Sequence, residues 1–167
     1  KTNVWNYAAQ FGPPDLVITS PKFSMGARSQ DAWYRPVTDT GVEEARWVRA
    51  IEIRPTTLKG RKITHHAVAR LRQDDGFDDA SSRATRGADG AGTPGLFMEW
   101  AVGKQGEIAR PNTGKLMLPG SKIAWDIHYS NGGEDITDVI ELGIYFYPKG
   151  QEPKYRQHLV RMGRTGT

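Results

Sequence analysis

The chain of 167 residues contains no cysteine. Disulfides, thiolate chemistry and Cys-ligated zinc sites are therefore excluded. The absence does not fix the compartment, because many periplasmic proteins also lack disulfides. Long apolar runs are missing too. Nothing approaches the roughly 18 consecutive apolar residues of a membrane-spanning helix. The start at Lys1 shows no basic segment followed by an apolar one, so no signal peptide is visible, and the chain reads as either a mature form or an excised part of something longer. No Gly-x-Ser-x-Gly elbow appears, and no glycine-rich loop stands between a strand and a helix. Serine-hydrolase and nucleotide chemistry are thus unsupported. Histidine is scarce, with four in the chain.

What is present is ordinary for a soluble globular domain: 37% hydrophobic and 25% charged residues. The length suits one domain, expected over residues 1–155, with a sizeable core. The formal net charge is +4. It is concentrated at the end, where Lys149, Lys154, Arg156, Arg161 and Arg164 face Glu152 alone. The body is therefore neutral, and residues 156–167 read as a basic C-terminal tail. Nucleic-acid binding more often needs a basic face interleaved with aromatics, so no nucleic-acid partner is expected. The tail either solvates the C-terminus or touches an acidic protein partner.

Several runs have β character, and some of them show the period-2 alternation of half-buried strands. They are "PDLVI" from Pro14, "ARWVRAIEI" from Ala45, "KITHHAVARL" from Lys62, "GLFMEWAV" from Gly95, "SKIAWDIHYS" from Ser121, "TDVIELGIYFYP" from Thr137 and "RQHLVRM" from Arg156. In the second, Trp47, Ile51 and Ile53 share one face, with Glu52 and Arg54 opposite. In the third, Ile63, Ala67 and Leu71 share a face. In the fifth, Ile123, Trp125, Ile127 and Tyr129 share one face, and Ala124, Asp126 and His128 the other. In the sixth, Ile140, Leu142, Ile144 and Phe146 go together. Turn signals at Pro13-Pro14, Pro119-Gly120, Asn131-Gly132-Gly133 and Pro148-Lys149-Gly150 separate the runs. No long 3.6-residue period competes. The fold class expected is all-β, an antiparallel jelly-roll β-sandwich.

Residues 73–95 differ from the rest. They are rich in Gly, Asp, Ser and Ala and nearly devoid of apolar side chains, Phe77 excepted. They read as a long flexible loop between two strands. Its "DDGFDD" offers hard oxygen ligands for calcium, but lacks the ordered loop spacing and closing glutamate of an EF-hand.

The histidines carry the chemistry. His65 and His66 are adjacent within a strand pattern, and His128 lies in another. Three neutral imidazoles form a ligand set for copper or zinc. Successive side chains of a regular strand point to opposite faces, so both members of the pair reach one ion only at a strand end, a bulge or a strong twist. The bland alternative is an incidental pair. Asp126, on the face of His128, is either an acceptor orienting that imidazole or a solvent-facing acid. Met98 and Met117 are either soft copper ligands or core. His158 reads as a surface residue in the tail.

Two stretches carry a family resemblance. "RWVRAIEIRPTTLKGRKITHHAVARL" resembles the strands around the paired histidines of the copper type II, ascorbate-dependent monooxygenases, the family of the peptidylglycine α-hydroxylating and dopamine β-monooxygenases. "GKLMLPGSKIAWDIHYSNGGEDITDVIELGIYFYPKG" resembles the later segment, in which a histidine followed by tyrosine supplies a third ligand. "PDLVI", "AWYRPV" and "WAVGKQGE" fit the same frame, which looks like that of bacterial relatives and covers roughly residues 14 to 155. The resemblance implies a jelly roll, and one copper ion held by His65, His66 and His128 as an electron-transfer site. It implies a location outside the cytoplasm, periplasmic or secreted. The family's enzymes carry a second copper on a second domain, with a His-x-His pair and a methionine. No His-x-His occurs here. The chain is therefore not expected to be a complete enzyme alone, but to work with a protein partner or further domains of a larger protein. Two other functions stay open: a non-catalytic structural or interaction subunit of an envelope complex, and a monooxygenase completed by a partner.

Overall fold

The computed structural model describes residues 4–74, 95–101 and 103–157. His158, nearly all of the 73–95 loop with its "DDGFDD", and most of the basic tail lie outside the described residues. In chain order the elements are α1 (Ala8–Phe11), β1 (Leu16–Thr19), β2 (Phe23–Met25), β3 (Ala32–Tyr34), β4 (Val37–Asp39), β5 (Arg46–Pro55), α2 (Leu58–Ile63), β6 (Thr64–Arg72), β7 (Gly95–Trp100), β8 (Gly106–Ile108), β9 (Thr113–Met117), β10 (Lys122–Tyr129), β11 (Ile136–Asp138), β12 (Ile140–Phe146) and β13 (Tyr155–Arg156). The protein is mostly β, in several sheets. One sheet runs β1-β12-β5-β9-β13, with β8 also on β5. A second runs β3-β10-β6-β7, with β4 also on β10. A short pair joins β11 to β2. Apart from the parallel β9–β13 contact, these pairings are antiparallel.

The two larger sheets enclose one apolar core, a sandwich-like arrangement. Strand β10 supplies Ile123, Trp125, Ile127 and Tyr129, all buried, as its alternation predicts. Its partner β6 faces them with Ala67 and Ala69, directly across from Ile127 and Trp125. Small residues opposite large ones let the layers interdigitate. From the other sheet come Val48, Ile51, Ile53, Leu142, Ile144 and Phe146. Met98 and Met117 are buried members of this core, which settles them as packing residues rather than metal ligands.

One sequence expectation fails on β5. Trp47 was placed with Ile51 and Ile53, yet Val48 takes the core position. The cause is a β-bulge: Tyr145 pairs with Ala50 but Phe146 pairs with Val48, so Arg49 is an extra residue and the alternation slips by one. Glu52 lies on the face opposite Ile51 and Ile53, as its alternation predicts, and is 2% exposed. The N-terminal segment covers it. Glu52 accepts hydrogen bonds from the backbone N–H of Asn6 (2.7 Å) and of Tyr7 (3.1 Å), and from the Tyr145 hydroxyl (2.6 Å). Trp5, in this N-terminal strap, lies over Gly143, where an added Cβ would stand 2.8 Å from its ring, and the Arg54 guanidinium lies over the same ring, 3.5 Å from its centre. Burial, followed by the bond to Glu52, raises the Tyr145 phenol, so it stays a donor.

Lys62 and Ile63, expected as the start of a strand, close the short helix α2 instead. Thr57 caps that helix by accepting from the Gly60 N–H at 2.8 Å. Asp138 of β11 anchors the turn by accepting from the Thr56 hydroxyl at 2.7 Å. Its carboxyl, raised by burial, packs so closely on Gly60 that an added Cβ there would sit 2.1 Å away. Glycine is thus required at position 60 for proximity rather than for turn geometry.

The strap makes a prediction. Tyr145→Phe leaves the buried Glu52 carboxylate short of a donor and lowers unfolding stability by about 1–3 kcal/mol, read as a lower urea midpoint. An unchanged midpoint would show that Glu52 does not fasten the segment.

Candidate metal centre

The site is built on the start of β6 and the end of β10. His66 pairs directly with His128, and Tyr129 pairs with Thr64. His65 is therefore an extra residue, a second β-bulge. The burial pattern records the same slip. Thr64 and Ala67 both point inward, three residues apart, and His65 and His66 between them both turn outward, exposed and half-buried. A regular strand would have sent one histidine into the core. Thr64 is held by its hydroxyl, which donates to the Gly60 carbonyl at 2.8 Å. The chain from Asp138 through Gly60 to Thr64 thus fixes where the bulge falls.

The bulge brings the expected residues together. One nitrogen from each of His65, His66 and His128 lies within 4.8 Å of the others. The Nδ1 atoms of His65 and His66 are 3.2 Å apart. Two metal–imidazole bonds of about 2.0–2.1 Å, at angles between a right angle and the tetrahedral one, place their nitrogens about 2.9–3.4 Å apart. Burial, and then the neighbouring His128 and His65 rings, push the His66 imidazole below its ordinary range. That favours the neutral form a metal requires.

The third histidine shows what the set fits. Its Nε2–H donates to Asp31 Oδ2 at 3.1 Å, and the Ser130 hydroxyl donates to the same oxygen at 3.2 Å. Its Nδ1 is buried with no hydrogen-bond partner. A carboxylate on one ring nitrogen fixes the tautomer and leaves the other as a lone-pair donor, the usual arrangement of a metal-bound histidine. A nitrogen-only set without thiolate suits copper or zinc.

Asp126, expected as a possible acceptor for His128, is not its partner. It is paired with Arg35 at 3.0 Å, and Asp31 takes the role. Sequence reasoning missed Asp31, which lies 97 residues from His128 and carries no local signal. It also missed Trp33. Trp33 pairs across from His128 on β3. Its ring is stacked on that imidazole, with centres 4.2 Å apart and planes 4° from parallel, and meets His66 edge-on at 5.3 Å. His66, His128 and Trp33 thus form one row across three strands. The "AWYRPV" fragment contained Trp33, but only strand pairing puts it beside the histidines.

No family model and no curated protein matches this chain. The reading of the site therefore rests on its own geometry.

Asp31→Asn keeps the shape but weakens the acceptor. It should lower metal affinity about 10- to 100-fold in a competition titration, with the unfolding midpoint little changed. Wild-type affinity in the variant would remove Asp31 from the site.

Proposed function

We propose that the chain is a copper-binding domain of the electron-transfer type, related to one half of the copper type II monooxygenases and folded as a jelly-roll β-sandwich. The observation that carries this reading is the convergence of three imidazoles on the outer face of the second sheet, with one nitrogen of His128 unpartnered and the other tied to Asp31. His65, His66 and His128 hold one copper ion. Copper, when bound, supplies one-electron oxidation and reduction. Imidazole donors serve both oxidation states, because nitrogen is neither so hard nor so soft as to exclude either. Asp31 holds His128 in its tautomer. Trp33 lies flat on the ring and limits its rotation.

The domain does not carry out oxygen chemistry alone in this reading, because its described residues offer one three-histidine set and its sequence has no His-x-His pair. It works within a larger protein or complex outside the cytoplasm, where a protein partner or another domain supplies the second site. Among the described residues no helix is long and apolar enough to cross a membrane.

Metal analysis tests this directly. The protein purified without chelators and titrated with copper should hold about one ion per chain, and His128→Ala should lose it. Tight, stoichiometric copper in the variant would contradict the three-histidine assignment. Absence of tight copper from the wild type would return the fold to a structural or interaction role.

A further inference from the structure

A groove of about 690 Å³ opens beside His65 and His66. At its α2 side stand Arg61 and Lys62, both exposed. At its β6–β7 side stand Val68 and Glu99, which pair directly across the two strands, with Ala101 just beyond. The charge of Arg61 and Lys62 is only partly engaged by neighbours. Lys62 approaches Glu134 only at 3.8 Å, while Lys59 takes that carboxylate at 2.6 Å. Among the described residues Arg61 has no ion-pair partner.

We propose that this groove binds a small organic monoanion, which reaches the open position of the metal. The proposal rests on the copper reading and extends it. Three protein ligands leave a coordination position for an outside molecule, as metal sites that handle substrates do. His65 and His66 line the groove, so an occupant there would lie beside two of the residues that would hold the metal. Arg61 and Lys62 attract negative charge at one side, and the metal adds to the same field. Val68 and Ala101 offer apolar contact to a short carbon body. Glu99 repels a second negative charge at the far side, which selects a monoanion with a neutral far end. The volume falls in the range of about 300–1,000 Å³ usual for small-molecule sites.

Azide and acetate are the probes. Azide binding to the Cu(II)-loaded protein is followed by its charge-transfer absorption, in wild type and in the double variant Arg61→Gln/Lys62→Gln. Both positions are exposed, so the variant should fold and load copper as the wild type does. Azide affinity should fall about 3- to 10-fold, and its dependence on ionic strength should flatten. Acetate should compete with azide, and neutral acetamide should not. Binding of imidazole, a neutral ligand for the same open position, should be unchanged. Equal azide affinity in wild type and variant, with copper loaded in both, would overturn this inference alone. Failure of the wild type to take up copper would overturn the metal reading and this inference with it.

Discussion

The site depends on one extra residue in one strand. Strand β6 must bury Thr64 at its start and Ala67 and Ala69 further on, and these positions do not share a single alternation. The bulge at His65 absorbs the mismatch and turns two neighbouring side chains to the same face. Without it, one imidazole would enter an apolar core and lose its hydrogen bonds to water, at a cost no packing there would offset. The constraint that places the bulge lies outside the strand. Asp138 presses on Gly60, Gly60 leads the short helix into Thr64, and Thr64 is tied back to the Gly60 carbonyl.

The rest of the architecture divides its surfaces. The inner faces of the two sheets make the core, and each outer face has a separate role. On the first sheet the outer face is closed by the N-terminal segment, with a buried glutamate accepting from two backbone amides and a phenol. On the second it stays open and carries His66, His128 and Trp33 in one row. A stable sheet at the back of the histidines fixes their backbone positions, which matters because metal sites tolerate little error in donor placement. Trp33 is about half exposed, so the row ends in an aromatic ring at the solvent.

The strands were legible where alternation is regular. Strand β10 shows its four core residues and its outward His128 directly in the sequence, and so does the apolar row of β12. The adjacent histidines themselves signalled a strand end or bulge, because no regular strand could use both. Local patterns failed where the cause was remote. Trp47 was misplaced because a bulge at Arg49 shifts the phase without leaving a glycine or proline to mark it. The alternation puts Glu52 on the outer face, but nothing local shows that a segment 46 residues earlier folds over it. Asp126 was the acceptor that the strand pattern offered for His128, and only the pairing of β3 with β10 brings Asp31 there instead. The Lys62–Ile63 turn looked extended because its helix is too short to show a period.

The meeting of the three imidazoles is a consequence of strand geometry. Two histidines that a bulge turns to one side meet a third held by a carboxylate, and together they offer nitrogen alone. X-ray absorption at the copper edge of the loaded protein, in both oxidation states, examines that claim atom by atom. The account predicts a first shell of nitrogen or oxygen scatterers, with the outer-shell signature of three imidazole rings and no sulfur contribution. A sulfur shell from methionine, or the signature of fewer than three rings in both states, would contradict it.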